Sequence, residues 1–559
     1  ISALRLASAV VILAAMLRVL DLFRVFPSKM ATSSSPHTAT VVAHPVVTDL
    51  AVCIFSPTVP PSTCELDPRI WRRIEKELYL HTSQQSAWLY IKLANEEDLA
   101  AEDLVVTDII VSELPPSPSS GHPWESQPGG IWVLKSKFSG AIDQAVTEVD
   151  VLFGVDAVDP RPQQALMESP LQLQAQPELP VARLSVRRGR AKPRPDQPTL
   201  RVGADGKFKI LLISDTHMRT GVGVCEDAID ADGKNLLESE ADPRTVGFIG
   251  KILDVEKPDL VVLTGDQVHH DIYDTQSALF KVVVPMIERS IPWVAVFGNH
   301  DSEGPYALSR MEQMSILQDL PFSLCESGPE EVDGIGNFYL QVLPLASAPS
   351  QLPLSTLYFL DSHGQIPSII RPDYDPIKQS QIDWFSKTSQ ALRRTRKDDD
   401  NNNPSHLAMV FQHIPLPEFG YRSLRIYKGH RREPTEGPRS NSGFYKILVK
   451  ERISGLFCGH DHVNNFCALL PRQTQQDGDK APQFGPWLCH TGCTGFGGYC
   501  SYGKERFYRG ARVLELDPST GSLKTWQRVE FAMDRVDELV LVDSGAVVNP
   551  LEKKIKEAV

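Results

Sequence analysis

The chain lacks several features that are typical of secreted proteins. It has no Asn-x-Ser/Thr sequence, since Asn403 is followed by Pro404, and this weakly disfavours a glycosylated lumenal protein. Its 9 cysteines are odd in number and have no framework spacing across 559 residues, so we expect no disulfide scaffold. Cys489, Cys493 and Cys500 lie near a glycine-rich stretch. Without a clear fourth ligand, we expect them to form a packed, reduced loop rather than a zinc site.

Long hydrophobic runs are also scarce. The longest, residues 6–17, is flanked by Arg5 and Arg18. It is short for a membrane-spanning helix, which needs about 20 apolar residues, although snorkelling arginines could complete it. We expect a signal anchor within residues 1–28, with membrane association through residues 6–26 at an endomembrane or the vacuole. A cleaved signal peptide, a mitochondrial-like leader and a cytoplasmic location are the alternatives.

An excess of positive charge is also lacking, because 70 acidic residues outnumber 57 basic ones and the net charge of the chain is −13. The exception is a Pro- and Gln-rich stretch, residues 158–205, in which six basic residues fall within a dozen positions: Arg183, Arg187, Arg188, Arg190, Lys192 and Arg194. Such a composition buries too little apolar surface to fold alone, so we predict a linker. A basic run can bind nucleic acid, but the acidic total and the absence of interleaved aromatic residues disfavour that partner.

Residues 38–157 are predicted to form a small β-rich domain before this linker. Five segments alternate as strands do: residues 41–47, 50–55, 87–93, 104–111 and 131–138. Only residues 69–80 have a helical pattern. No group of residues in this region indicates chemistry, so substrate or partner binding and a plain packing role both stay open.

The rest of the chain repeats one design, a short apolar run that ends in polar, metal-competent side chains. The runs are uninterrupted and apolar, as strands buried on both faces are: residues 208–213, 260–263, 293–297, 406–411 and 453–458. Helical periodicity over residues 243–254 and 275–288 separates the first three runs. This alternation predicts βαβ units, whose sites lie at the carboxyl ends of the strands.

The residues that follow these runs are suited to a pair of metal ions. They are Asp215 and His217, then Asp266, then Asn299, His300 and Asp301, then His413, and last His460 and His462. Two divalent cations about 3.5–4 Å apart need a shared ligand, which a carboxylate can be and a neutral imidazole cannot. Mixed Asp, Asn and His ligation suits Fe, Mn or Zn, and the lack of cysteine at these positions argues against a thiolate site.

These motifs resemble the five blocks of the calcineurin-like metallophosphoesterase family over residues 206–530. The blocks are Asp215-x-His217, Gly265-Asp266, Gly298-Asn299-His300-Asp301, His413 and Gly459-His460-x-His462. The resemblance implies an α/β fold (α+β, four layers), a calcineurin-like β-sandwich flanked by helices and preceded by the small β-rich domain. Residues 531–559 are then expected to be a peripheral tail.

The resemblance also implies a role for each residue of the site. One metal ion would be held by Asp215, His217 and His462, the other by Asn299, His413 and His460, and Asp266 would bridge them. His300 would remain unligated and would stabilise the phosphoryl transition state or protonate the leaving oxygen, a task for a group that titrates near neutrality. Asp301 is expected to orient His300.

Further segments narrow the resemblance to plant atypical purple acid phosphatases and fungal dose-dependent cell-cycle-regulator phosphatases. They are residues 291–301, 336–339, 357–362, 413–418, 441–444 and 459–464. True purple enzymes have a tyrosine three residues after the bridging aspartate, where this chain has His269. Neither the purple colour nor an Fe(III) ion is therefore expected.

The function expected from the sequence is that of a dinuclear-metal phosphatase. It would hydrolyse phosphomonoesters, with phosphoproteins favoured, by direct attack of a metal-bridging hydroxide. The basic segment 421–439 offers candidates to receive the substrate's charge: Arg422, Arg425, Lys428, His430, Arg431 and Arg432. A phosphodiesterase or nuclease of the same fold and a catalytically silent metal-binding regulator stay open, although His300 argues against the regulator.

Overall fold

The structure is a computed structural model. It describes residues 44–56, 64, 66–117, 123–173, 175–192, 197–236, 239–367, 373–397, 406–471 and 485–550. The expected anchor, residues 6–26, lies outside this set. Among the described residues, no helix is both long enough and apolar enough to cross a membrane.

The N-terminal region is β-rich, as predicted, and consists of three antiparallel three-stranded sheets. Its strands are β1 (Pro45–Phe55), β2 (Trp71–Arg73), β3 (Ser86–Asn95), β4 (Leu104–Val111), β5 (Trp124–Gln127), β6 (Ile131–Lys137), β7 (Val146–Phe153), β8 (Gln164–Leu166) and β9 (Ala182–Arg188). They pair in the orders β1-β3-β2, β4-β6-β5 and β7-β9-β8. Side chains from all three sheets form one apolar cluster, so this region has a core of its own.

The helix predicted over residues 69–80 is wrong. The segment contains the short strand β2 and a turn. The turn is organised by the buried carboxylate of Glu77, which accepts hydrogen bonds from the backbone N–H groups of Tyr79, His81 and Ala87 at 3.0, 2.8 and 2.7 Å. A side chain that satisfies three backbone donors in this way competes with helix formation.

The linker predicted over residues 158–205 is also wrong in part, because strands β8 and β9 lie within it and pair with each other and with β7. Leu184 and Val186 are fully buried in the apolar cluster. The basic residues alternate with them, and Arg187 forms an ion pair with Glu148. The average composition of the segment concealed this period-two pattern.

The remaining chain forms a sandwich of two seven-stranded sheets, as predicted. The first sheet has the order β12-β11-β10-β24-β25-β26-β27, with β10 (Phe208–Ile213), β11 (Leu260–Leu263), β12 (Trp293–Ala295), β24 (Gly510–Asp517), β25 (Ser522–Val529), β26 (Val536–Asp543) and β27 (Ala546–Val547). The second has the order β13-β14-β17-β19-β21-β20-β18, with β13 (Phe338–Val342), β14 (Ser355–Phe359), β17 (Leu407–Phe411), β18 (Arg425–Lys428), β19 (Gly455–Cys458), β20 (Cys467–Leu469) and β21 (Trp487–His490). Two short hairpins pair β15 (Gln365–Ile366) with β16 (Asp373–Tyr374) and β22 (Ser501–Tyr502) with β23 (Glu505–Arg506).

In the part of the chain that the structure describes, five α-helices accompany the sandwich: α1 (Ala241–Glu256), α2 (Thr275–Glu288), α3 (Arg310–Asp319), α4 (Gln379–Lys397) and α5 (Phe444–Lys450). The first two connect the parallel strands β10, β11 and β12, which confirms the predicted βαβ units. Helix α2 begins where the Asp274 side chain accepts a hydrogen bond from the N–H of Ser277, and it continues through Pro285. Helix α3 begins with a capping box formed by Ser309 and Glu312.

The two faces of the second sheet pack against different partners. Phe338, Phe359, Phe411 and Phe457, one from each of four adjacent strands, stack with ring centroids 4.8–5.5 Å apart. They belong to the core shared with the first sheet. Neighbouring residues such as Tyr358 point to the opposite face, where they pack with side chains of α4 and α5. Because both faces are covered, these strands read as continuous apolar runs.

Two further expectations are corrected, one about disulfide bonds and one about the C-terminal residues. Cys53 is bonded to Cys64, and Cys467 to Cys489, so the sequence reasoning missed two disulfides. The second links directly opposed residues of β20 and β21, a pairing that sequence spacing alone does not indicate. Cys489 is thereby removed from the predicted cluster of reduced cysteines.

The residues expected to form a peripheral tail contain β26, which extends the first sheet. Leu541 and Val542 are fully buried. The Leu541 carbonyl accepts a hydrogen bond of 2.7 Å from the indole of Trp487 in the second sheet. Strand β26 therefore helps to hold the two sheets together through this hydrogen bond.

Candidate metal centre

The predicted site residues lie where six parallel strand ends meet. In the first sheet, Asp215 follows β10, Asp266 follows β11 and Asn299 follows β12. In the second sheet, His413 follows β17, and His460 and His462 follow β19. Strand β21 is parallel to β19 and leads into the glycine-rich loop. Carboxyl ends of parallel strands share an edge, so residues separated by more than 200 positions converge.

The backbone at the site adopts an unfavourable conformation. Asp215, His217, Asp266 and His460 have φ values of +53°, +46°, +52° and +73°. The left-handed region costs a non-glycine residue roughly 1–2 kcal/mol. Such strain persists only where the surroundings enforce it, and it clusters at ligand-binding sites.

Four glycines allow the strand ends to approach one another. A Cβ atom built on Gly265 would lie 2.3 Å from Nδ1 of His413, and one on Gly298 would lie 2.1 Å from Oδ1 of Asp266. On Gly459 it would lie 1.8 Å from the Ser214 hydroxyl, and on Gly498 it would lie 2.6 Å from the His217 ring and 2.8 Å from the His462 ring. No side chain fits at any of these positions. Gly498 belongs to the glycine-rich stretch, whose contribution to the site the sequence analysis missed.

Asp215, His217 and His462, here called the first half, form one group of donors with Asp266. Nε2 of His217 lies 3.1 Å from Nε2 of His462, and Nε2 of His462 lies 3.5 Å from Oδ1 of Asp215. Nδ1 of His462 lies 2.7 Å from the Tyr499 carbonyl. A carbonyl only accepts hydrogen bonds, so Nδ1 carries the proton and Nε2 keeps a lone pair for the site.

Asn299, His413 and His460 are the residues predicted for the second metal ion and are here called the second half; the ligand atoms of His413, His460 and Asp266 lie within 4.8 Å of one another. Nε2 of His413 lies 3.1 Å from Oδ2 of Asp266, while its Nδ1 donates to the Thr264 carbonyl at 2.8 Å. Oδ1 of Asn299 and Nε2 of His460 are buried without a hydrogen-bond partner among the described residues. Unsatisfied buried acceptors are costly, and convergent ones suit a cation.

The electrostatics of both halves also suit cations. Burial raises the pKa of Asp215 to about 7 and lowers the pKa of His462 to about 3. Burial likewise lowers the pKa values of His217 and His460 well below their usual range. Neutral imidazoles are the form that binds metal. His413 differs from the other three: burial opposes its protonation, but the charge of Asp266 and the hydrogen bond to it raise the pKa of His413 to about 9, so metal binding in the second half would release that proton. The donor set fits two divalent metal ions.

His300 lies beside the donors and is not one of them. Its side chain is 29% exposed, and its Nδ1 lies 2.5 Å from Oε2 of Glu303. Its backbone N–H donates to Oδ1 of Asp266 at 2.9 Å. Burial opposes protonation, but the charge of Asp266 and the hydrogen bond to Glu303 raise the pKa of His300 to about 9. Glu303, three residues along the chain in a 3₁₀ turn, was missed by the sequence analysis.

The expectation that Asp301 orients His300 is wrong. The Asp301 carboxylate is fully buried and accepts backbone hydrogen bonds from Asp266, Val268 and Gly298 at 3.0, 3.0 and 2.7 Å. It therefore joins the loop after β11 to the loop after β12. An aspartate beside a histidine in sequence is directed away from it because successive side chains diverge.

Arg310 and Asp361 support the same loops, and the sequence analysis missed both. Arg310 forms an ion pair with buried Asp361 and donates to the carbonyls of Gly298 and His363 at 2.7 and 2.8 Å. Asp361 lies in the segment 357–362 that contributed to the resemblance, but nothing in the sequence pairs it with Arg310 at the start of α3. Only the packing of α3 against the strand ends brings them to the site.

Two other polar groups have structural partners instead of a ligand-binding geometry. His269, at the position of the purple enzymes' tyrosine, lies 2.8 Å from the Arg219 guanidinium and 2.5 Å from Asp271, so both of its ring nitrogens have partners. In the basic segment, Arg431 packs over the ring of Phe466 and Arg432 over that of Phe507. Arg422, Arg425, Lys428 and His430 are exposed.

Comparison with known proteins agrees with this geometry. A family model described as calcineurin-like phosphoesterase matches residues 208–464. "Probable inactive purple acid phosphatase 29" of Arabidopsis thaliana is 34% identical over 367 residues, which cover 62% of this chain and 89% of the plant protein. "Phosphatase DCR2" of Saccharomyces cerevisiae is 33% identical over 400 residues, which cover 69% of this chain and 64% of the yeast protein.

A solved structure of purple acid phosphatase PPD1 from yellow lupin aligns over 89% of this chain and 91% of the lupin chain, at 12% identity and a TM-score of 0.35. That likeness is too low to support any argument about the site. The family match and the two relatives, together with the buried Asp and His groups at the strand ends, are sufficient. The chain belongs to the calcineurin-like phosphoesterases, a family of dimetal phosphoesterases.

Proposed function

We propose that the chain is a phosphatase that hydrolyses phosphomonoesters with two divalent metal ions. The first half would hold one ion, the second half would hold the other, and Asp266 would bridge them. The observation that carries this proposal is the position of Asp266, whose Oδ2 lies 3.8 Å from Nε2 of His217 and 3.1 Å from Nε2 of His413. A single carboxylate thus faces both groups of donors.

The bound cations, Fe, Mn or Zn by the chemistry of the donors, would supply Lewis-acid activation of water and of the phosphoryl oxygens. The chain's own residues provide the arrangement. The two carboxylate oxygens of Asp266 have different partners. Oδ1 accepts a hydrogen bond from the backbone N–H of His300, and Oδ2 faces the imidazoles of His217 and His413. The residue that bridges the donors therefore also fixes the start of the turn that carries His300.

His300 is the proposed acid. Its Nδ1 is held by Glu303, so Nε2 is the ring nitrogen left to face a substrate. A pKa of about 9 keeps the ring protonated at neutral pH, and a protonated imidazole can donate to the oxygen of the leaving group as its bond to phosphorus breaks. The 29% exposure of the side chain allows a phosphoester to reach it.

Direct attack of water on phosphorus is favoured over a covalent phosphoenzyme. None of the five strand-end motifs offers a cysteine nucleophile. The nearest thiol in sequence, Cys458 at the end of β19, is fully buried, and burial raises its pKa well above the usual range. A thiol that does not ionise is a poor nucleophile.

The openness of the site supports substrates as large as phosphoproteins. Glu303 is 39% exposed beside His300, and the chain then leads to Tyr306, which is 42% exposed. The Tyr306 ring stacks on His81 of the N-terminal region with centroids 4.4 Å apart. The β-rich region therefore reaches the loop next to the proposed acid, where it would contact a large substrate.

Two other functions have weaker support. The basic stretch was the main argument for a nuclease, but Arg187 and Arg188 form ion pairs with Glu148 and Asp108. A silent regulator is suggested by the word "inactive" in the name of the plant relative. The complete donor set, with His300 and Glu303 beside it, supports an active enzyme.

The test is hydrolysis by the full chain supplied with Mn²⁺ or Zn²⁺. We expect turnover of p-nitrophenyl phosphate and of a phosphoserine peptide, little turnover of bis(p-nitrophenyl) phosphate, and a loss of about 10²-fold or more in His300→Ala. Preference for the bis-ester would replace the proposal with a diesterase. Two bound metals without any turnover would replace it with a regulator.

A further inference from the structure

The glycine-rich loop, residues 491–500, holds His462 from two directions. The N–H of Cys493 donates to the His462 carbonyl at 2.9 Å, and the Tyr499 carbonyl accepts from Nδ1 of His462 at 2.7 Å. The Tyr499 ring also stacks on the His462 ring, with centroids 4.0 Å apart and planes 8° apart. The position of His462 therefore depends on how rigidly this loop keeps its shape.

Two cysteine thiols meet at the base of this loop. Sγ of Cys493 lies 3.2 Å from Sγ of Cys500, and neither is in a disulfide. Their backbones are fixed from outside the loop, because the Cys493 carbonyl accepts from the N–H of Gly510 and the Cys500 carbonyl accepts from the N–H of Phe507, at 3.0 and 2.8 Å. A disulfide bond of about 2.05 Å would need a movement of only about 1 Å.

We propose that Cys493 and Cys500 form a redox modification site, in which oxidation to a disulfide locks the loop around His462 and strengthens metal binding in the first half. The thiol pair was expected from the sequence to be a packed, reduced loop, and the geometry adds a second state to it. The effect on metal binding rests on the proposed function; formation of the bond does not.

Hydrogen peroxide is an oxidant small enough for this site. Burial raises the pKa of the Cys493 thiol to about 11, so little thiolate is present at neutral pH and the first step is slow. In that step one thiol sulfur loses its proton and attacks a peroxide oxygen, the O–O bond breaks, and a sulfenic acid and one water form. The second thiol then attacks the sulfenic sulfur and releases the second water. Two thiols and one peroxide thus give one disulfide and two waters, with two electrons passing from sulfur to oxygen.

Access is provided by a cavity of about 570 Å³ that both cysteines line. The thiols are 2% and 1% exposed, so the cavity is their route to solvent. Arg432, Arg506 and Tyr508 line its other walls. Hydrogen peroxide is small enough to pass through this cavity to the buried sulfur atoms, and this favours direct oxidation of the pair.

The disulfide would fix Tyr499, whose carbonyl and ring hold the proposed metal ligand His462. Partners that hold a ligating histidine from behind change metal affinity by about 10–100-fold when they are removed. Fixing the loop should instead increase metal affinity, by about tenfold, which is near the lower limit of that range. The second half should not respond, because its histidines take no hydrogen bond from this loop among the described contacts.

The first experiment follows the mass of the modified segment in the full chain. Protein is treated with peroxide, remaining thiols are blocked, and the tryptic peptide of residues 481–504 is analysed without reduction, with Cys489 still bridged to Cys467. In the wild type and in Cys225→Ser, we expect this segment to carry no blocking group on Cys493 or Cys500 and to be two hydrogen atoms lighter than the same segment with two free thiols. We expect no such loss in Cys500→Ser. Absence of the loss in the wild type would overturn the proposal.

The second experiment measures the chelator concentration that removes half of the bound manganese. We expect the value to rise about tenfold on oxidation of the wild type and to stay constant in Cys493→Ser and Cys500→Ser. An unchanged value in the wild type, after the mass shows a disulfide, would overturn the locking effect. Failure to bind manganese in either state would instead contradict the proposed function, and the mass experiment would still decide whether the bond forms.

Discussion

The two halves of the candidate metal centre are held by different parts of the chain. In the second half, His413 bonds to the Thr264 carbonyl beside Asp266, so the sandwich itself fixes the ligand. In the first half, His462 bonds to the Tyr499 carbonyl in a loop that follows the last strand of the second sheet. The comparison indicates that the second half forms with the strands, whereas the first half also requires the glycine-rich loop to close over it.

Asp266 belongs to both halves, so its replacement should have the largest effect. Asp266→Asn keeps the shape but removes the charge shared by the two groups of donors. We expect both metal ions to be lost and turnover to fall by about 10²–10³-fold or more, the range for removing a group that acts on the transition state. Elemental analysis and p-nitrophenyl phosphate turnover measure this, with exposed Asp534→Asn as the control. Two retained metals with normal turnover would show that Asp266 is not the residue shared by the two halves.

Two glycine substitutions should separate the halves. In Gly265→Ala, the new Cβ would collide with His413, and the backbone φ of +101° adds strain. In Gly498→Ala, it would collide with the rings of His217 and His462. We expect the first variant to weaken the second half and the second variant to weaken the first half, each by about 10–100-fold in metal affinity.

Metal titration followed by calorimetry distinguishes the two sites by their affinities. Gly247→Ala is the matched control, because that glycine lies in α1 and a Cβ there would meet open space. Equal weakening of both sites by each glycine variant would mean that the halves do not act separately.

Removal of a supporting aromatic ring should have a smaller effect with the same selectivity. The Tyr499 ring stacks on His462, and the Tyr374 ring meets the His460 ring edge-on at 4.7 Å. We expect Tyr499→Ala to weaken the first half and Tyr374→Ala the second half, each by about tenfold or less. The same titration tests this, with the exposed Tyr502→Ala as control. A larger effect of Tyr374→Ala on the first half would contradict the assignment of the rings.

The smallest expected effect is common to both halves and depends on pH. His490 is buried behind the turn that carries His460 and His462, with Nδ1 3.2 Å from the Gly459 carbonyl and Nε2 3.3 Å from Asp461. Burial lowers its pKa to about 3, below the unfolded value of about 6.5. The stabilisation from the neutral ring is therefore complete above pH 6.5 and is lost as the pH falls from there towards 3.

Between pH 6.5 and 5, this single group should contribute a slope to the free energy of unfolding that grows from about 0.7 to about 1.3 kcal/mol per pH unit. Arg512 and Arg431, which also face His490, stay charged across this range and so add no slope. Burial raises the pKa of Asp461 well above its usual value, so Asp461 contributes a slope of the opposite sign; it is present in the wild type and in the variant, and the difference between the two proteins reports His490. Urea unfolding of His490→Gln at both pH values should show a shallower dependence by that amount. An equal slope in the variant and the wild type would show that His490 is not the responsible group.

The strands, helices and donors of the sandwich could be predicted because local pattern and function coincide there. The uninterrupted runs ending at Asp215 and Asp266 mark buried parallel strands, and the predicted helix over residues 275–288 matches α2. What failed depends on contacts that the local sequence pattern does not show. Glu77 overrides a helical pattern, Cys467 meets Cys489 only across a strand pair, and strands β8 and β9 are concealed by basic residues.

Within the site, the donors could be predicted but most of their supports could not. The motif suggested Asp301 as the partner of His300, but the backbone turn gives that position to Glu303. Gly498 and Tyr499 reach the first half through a loop whose sequence shows only that it is rich in glycine. Periodicity predicts the position of a residue in its helix or strand, but only the folded backbone determines which residues its side chain contacts.

The proposed enzyme requires one metal ion in each half, with Asp266 between the two ions. Anomalous X-ray diffraction from crystals of the full chain loaded with manganese tests this directly. Two peaks about 3.5–4 Å apart are expected, one beside Asp215, His217 and His462 and the other beside Asn299, His413 and His460. A single peak, or two peaks with Asp266 bound to neither, would contradict it.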